Sequence, residues 1–159
     1  MAVATVHNMW NLRPEERLRE WRNFRKNISA VDLETALKQT VHLWSYAPYV
    51  THYLAPDLVD EWPEPWTLVH ENYYCDIAKA LGMLYTMYLS DHWNRTIDNL
   101  EIRIYKDTVN HDVLNTVWVN RGKYVLNFSF DNIVNKNLID EKMIIKYKYT
   151  VKDLKLELK

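Results

Sequence analysis

The hydrophobic period changes once along this chain, and that change bounds the fold. Up to about residue 93 apolar residues return every three to four positions; from about residue 99 they alternate. A helix face produces the first spacing and a half-buried strand the second. Helices first and strands after is an α+β order. The N-terminal helices and a central buried helix should pack on a C-terminal antiparallel sheet. We expect a single domain over residues 1–159, helical over about 12–93 and sheet over about 99–151.

Local signals place the elements. Pro14 with Glu15 and Glu16 reads as a helix start, and Leu18, Trp21, Phe24 and Ile28 carry its apolar stripe. A second helix follows Ala30, with Asp32 near its start, a stripe of Leu33, Leu37, Val41 and Trp44, and an end before Pro48. Residues 49–66 are aromatic and broken by Pro56, Pro63 and Pro65, which predicts an ordered loop. From Glu71 to Ser90 the pattern is helical with few polar positions, so this helix should be central and buried. Strands are expected at 100–105, 113–119, 123–130 and 143–151, the middle pair joined by Asn120-Arg121-Gly122. The segment 151–159 fits either an extension of the last strand or a short charged tail.

Composition removes several function classes. With 20 Lys+Arg against 21 Asp+Glu, the net charge of −1 lacks the basic excess of a duplex-binding module. No apolar run approaches the roughly 20 residues of a membrane span, and residues 1–11 carry no secretion-signal pattern. The expectation is a soluble, cytoplasmic chain in a reducing compartment. A single cysteine makes neither an internal disulfide nor a Cys-based zinc site, and two glycines leave no phosphate-binding loop. His42, His52, His70 and His92 lack metal-ligand spacing, so no metal and no cofactor is expected. Arg13, Arg17, Arg19, Arg22, Arg25 and Lys26 alternate with acids and read as a solvated helix face.

The chemistry therefore rests on Cys75. A lone cysteine is commonly a small buried hydrophobe. This one falls in the first turn of the expected central helix, where unpaired N–H groups favour a thiolate. Gly82, seven residues on, shares its face and suggests that another backbone approaches there. The strands then supply His111 as candidate base and Asn127 or Asp131 as candidate orienter, the residue types that thiol catalysis uses. With a three-residue hairpin loop Val119 pairs with Lys123, which sets His111 opposite Asp131 and Asn115 opposite Asn127.

Cys75-Asp76-Ile77-Ala78 opening a buried helix, preceded by Trp66-Thr67-Leu68 and a turn, resembles the cysteine helix of the transglutaminase-like (papain-like) cysteine superfamily. The resemblance spans roughly residues 62–131, and the order Cys75, His111, Asn127 follows that family's order of nucleophile, base and orienter. It implies a transglutaminase-like α+β fold and acyl transfer at an amide through a thioester. The sequence departs from the family pattern in two places. Tyr73-Tyr74 precede the thiol in place of a Gly-x-Cys lead, and the His-Ala-Trp signature is absent. Gapless alignment on the Val-Trp-Val stretch puts Asp112 at the histidine position, so His111 needs an irregular strand start to face the thiol. The chain's general character is also similar to proteins carried by tailed bacteriophages.

Two functions follow as expectations. The first is a Cys75–His111–Asn127/Asp131 site acting on a peptide or other amide. The second is the same fold without chemistry, a viral structural or accessory protein that binds a protein partner through Trp62, Trp66 and Tyr74.

Overall fold

The structure is a computed structural model and describes residues 8–139 and 141–156. The expected reading of residues 1–7 lies outside that range, as does the end of the tail, 157–159. Helix α1 spans Pro14–Ser29, α2 Leu33–Ser45, α3 Pro65–Glu71 and α4 Asp76–Tyr88. Strands β1 (Leu100–Asp107), β2 (Val113–Val119), β3 (Tyr124–Leu126), β4 (Ile133–Val134) and β5 (Met143–Thr150) form an antiparallel sheet ordered β4-β3-β2-β1-β5. The α+β class, with helices first and an antiparallel sheet after, is as the period change predicts.

The helix starts follow their chemistry. Pro14 occupies the first position of α1, and the Arg13 backbone N–H donates to Glu16 Oε1. Asp32 caps α2 by accepting from the Thr35 backbone N–H at 3.2 Å. One member of the basic run is not solvated. Arg17 is buried and donates to the carbonyls of Leu12, Val69 and His70, closing the carboxyl end of α3. Only a guanidinium offers enough donors in one plane for that task.

Helix α3 falls inside the expected loop and the run after it. The apolar pattern runs unbroken from Tyr73 into α4, which hides the break. Asn72 holds φ 63, and Tyr74 pairs in extended geometry with Tyr49. Helix α4 therefore begins at Asp76 and not at Glu71.

Helix α4 is buried along most of its length. Gly82 is close-packed for a reason other than the expected one. A β-carbon there would lie 2.5 Å from the Trp44 ring, so a side chain of α2 presses on it, not the sheet backbone. The sheet turns Leu100, Ile102, Ile104, Val117, Val119 and Leu126 toward the helices. Its outer face carries a smaller cluster of Tyr105, Trp118 and Val125, with Arg103 stacked 3.8 Å from the Trp118 ring.

Register differs from expectation by one residue. Val119 pairs with Tyr124, so the β2–β3 loop has four residues, with Asn120, Arg121 and Gly122 all at positive φ. Strand β3 ends at Leu126, so His111 does not lie opposite Asp131, nor Asn115 opposite Asn127. Strand β5 returns to the free edge of β1 instead of following β4. After β5 the chain turns, and Val151 and Leu156 tuck into the core.

Candidate active site

Cys75 is the N-cap of α4, with extended backbone angles (φ −80, ψ 178) and no capping bond from its side chain. Its carbonyl accepts the Lys79 N–H at 2.9 Å, the first turn of the helix. The residue is 5% exposed and belongs to the main core. Tyr74, just before it, is wholly interior: its hydroxyl donates to the Leu68 carbonyl at 3.0 Å, and its ring sits edge-on to Trp10 and Trp44. Burial pushes that hydroxyl above the usual tyrosine range.

Asn127 comes to the same helix end. Immediately after β3 it takes φ 64, and its Nδ2 donates to the Asn115 carbonyl at 2.8 Å and the Asp76 carbonyl at 3.4 Å. It thereby ties β2 to the residue next to Cys75.

His111 stands elsewhere. It is exposed in the β1–β2 loop at φ 62, and its backbone N–H donates to the Asp107 carbonyl at 2.8 Å. The Asp107 carboxylate binds the N–H groups of Asn110 and Val109, which hold its carboxyl below the usual range. No hydrogen bond joins His111 to Cys75, Asn127 or Asp131. The carboxylate of Asp131 instead meets His42 of α2, with Nδ1 3.0 Å from Oδ2, while its backbone N–H donates to Ser45 Oγ at 3.1 Å. His42 and Ser45 lie one helical turn apart on α2. Nothing in that spacing points to a residue 89 positions away, so the sequence carries no signal for this contact.

A cavity of about 200 Å³ opens beside the α4 start, lined by Asp76, Lys79, Val113, Asn115, Asn127 and Phe130 among others. Lys79 donates to the Ser45 carbonyl at 3.0 Å; burial lowers its pKa, and Asp76 pulls it back up. Asn115 sits in the inward row of β2 with Val117 and Val119, is 7% exposed, and leaves Oδ1 buried without a hydrogen bond. A polar residue in an otherwise apolar inward row was the available signal for it.

The aromatic residues divide. Trp62 is half-buried, donates to the Ala55 carbonyl at 2.8 Å and packs edge-on against Tyr149. Trp66 is 43% exposed, edge-on to Trp21, with the Arg25 guanidinium over both rings. Tyr74, being interior, presents nothing to a partner.

No family model and no curated protein sequence matches the chain. Solved structures do. LapG of Legionella pneumophila aligns at TM-score 0.68 and 13% identity, over 94% of this chain and 82% of its own, and an EGTA-treated form gives the same values. The calcium-bound form aligns at TM-score 0.69 over 92% and 83%. None of these bears on a viral origin. At 13% identity what the likeness establishes is the architecture: this chain shares the LapG fold, and in it Cys75 stands at the start of the central helix.

Proposed function

We propose that this chain is a thiol-dependent acyl-transfer domain acting on amides, with Cys75 as nucleophile. The observation that carries the reading is Cys75 at the N-cap of the central helix of a LapG-like fold. Helix-start N–H groups there can receive the oxyanion of an acyl intermediate. The thiolate sulfur attacks the amide carbonyl carbon, a C–S bond forms and the C–N bond breaks. The amine leaves with a proton, and water or a second amine then resolves the thioester. His111 is the base that takes the thiol proton and returns it to the leaving amine. What supports it is its place in the order Cys75, His111, Asn127 and the irregular backbone at φ 62 just before β2. Asn127 is the better supported orienter, since it bonds at the α4 start, whereas Asp131 is engaged by His42. Calcium, held by one of the similar structures, forms no part of this reading. Among the described residues no three His, Cys, Asp or Glu side chains converge.

A specific observation favours a second reading, the same fold used without chemistry to bind a protein partner. Cys75 is nearly enclosed by core residues, and His111 is exposed without a bond to it. The surface in that case includes Trp66 and Trp62.

Iodoacetamide alkylation at pH 7 separates the two. Catalysis predicts that Cys75 in the folded chain reacts at least ten-fold faster than in the unfolded chain, and that His111→Ala removes the advantage. A folded-state rate below the unfolded rate overturns the enzyme reading. The binding reading then predicts that Trp66→Ala weakens association and Cys75→Ser does not.

A further inference from the structure

We propose that the cavity at the amino end of α4 is an amide-binding pocket with Asn115 as its recognition residue. Asn115 is more than nine-tenths buried, on a strand whose other inward residues are apolar. Its Oδ1 has no hydrogen bond, and its one bond to Asn127 is made by its main-chain carbonyl. A buried carboxamide oxygen left unpaired costs stability, so its presence beside an open cavity points to a ligand that completes it.

The chemistry of the walls selects the ligand. A carboxamide offers one acceptor and a pair of donors in a plane, and the group that answers both at once is another amide. Asp76 and Lys79 stand on the same wall with opposite charges. A carboxylate entering the pocket would meet Asp76, and an ammonium would meet Lys79; a neutral dipolar group meets neither penalty. The volume, about 200 Å³, is below the range of cofactor pockets and suits a single peptide unit or a side-chain carboxamide. At the rim Phe130 is 66% exposed and sits edge-on to Tyr46, 5.2 Å between ring centroids. Such a rim gives apolar surface to a chain running on either side of the bound amide. The pocket lies one residue from Cys75, so this inference deepens the acyl-transfer reading and rests on it for what happens after binding. Binding itself needs no thiol.

The test uses the full ¹⁵N-labelled Cys75→Ala chain, which binds without turnover, followed by NMR at the Asn115 side-chain NH2. The probes are N-acetylalanine N′-methylamide, which offers only main-chain amides, and N-acetylglutamine N′-methylamide, which adds a carboxamide. Acetate and methylammonium serve as charged controls. The expected result is a saturable shift at Asn115 with an amide probe and none with the ions. Asn115→Leu, followed through the Lys79 and Asn127 signals, should bind at least ten-fold more weakly. Equal affinity for the two probes identifies a main-chain peptide unit as the occupant, and preference for the glutamine probe identifies a side-chain carboxamide. No saturable shift with either amide in a chain whose spectrum shows it folded, or undiminished binding by Asn115→Leu, overturns the proposal. If the amides bind but Cys75 of the parent chain is unreactive, the pocket stands and the acyl-transfer reading falls. If Cys75 is reactive but neither amide shifts Asn115, the reverse holds.

Discussion

Near its carboxyl end α4 carries Thr86, whose hydroxyl accepts the indole N–H of Trp21 at 3.0 Å and of Trp44 at 2.9 Å while donating to the Gly82 carbonyl at 2.7 Å. At its amino end the helix meets Asn115, also buried, with a carboxamide oxygen that has no partner and a cavity beside it. One helix thus has a polar contact that is fully satisfied and closely packed, and another that is neither. A satisfied buried network specifies a core, whereas an unsatisfied one costs stability and persists where something else depends on it. That contrast is what favours the amino end as the place of the proposed site.

The largest expected effect is at the satisfied end. Thr86→Val keeps the shape but removes the acceptor shared by two interior indole N–H groups. It should cost about 2–4 kcal/mol in urea unfolding, because buried donors lose their partner. A cost below 1 kcal/mol would break the contrast. Gly82→Ala comes next, at roughly 1–3 kcal/mol of overpacking against Trp44, measured the same way. If alanine there were stabilising through helix propensity, the Trp44 contact would be softer than described.

At the amino end the sign should reverse. Asn115→Leu replaces a carboxamide whose buried oxygen has no partner with hydrocarbon of similar size and should leave thermal stability unchanged or raise it by up to about 1 kcal/mol. A clear loss would mean that Asn115 is structural. The smallest effect belongs to an exposed cap. The Asp32 carboxyl is held below the usual range by the Thr35 hydroxyl and then by the Thr35 backbone N–H. A carboxyl depressed in the folded state adds stability that is complete above its unfolded pKa near ~4 and is lost as the pH falls further. Asp32→Asn should therefore flatten, slightly, the decline in melting temperature between pH 5 and pH 3.

Much of this was legible from residue order. The starts of α1 and α2 follow from Pro14 and Asp32, and the inward rows of β1 and β2 from strict alternation. Cys75 at a helix start was also legible, because it depends on local pattern; Asn127 was named through strand order and the family resemblance, and its bond to the Asp76 carbonyl spans 51 residues. What failed was what depends on long-range pairing. One extra loop residue, Lys123, shifts the β2–β3 register and separates His111 from Asp131. Arg17 looked like part of a solvated face until α3, itself hidden in an aromatic loop, supplied carbonyls for it to cap. The His42–Asp131 contact joins α2 to the chain beyond β3, and no local spacing announces it.

The central claim is that reactive chemistry resides where α4 begins. Intact-mass analysis of the native chain after incubation with a peptidyl vinyl sulfone tests it most directly, since this electrophile carries amide bonds and captures an activated thiolate. The account predicts one stoichiometric adduct on Cys75 under native conditions, slowed strongly by His111→Ala and by Asn127→Ala. An adduct that forms only after the chain is unfolded would contradict it.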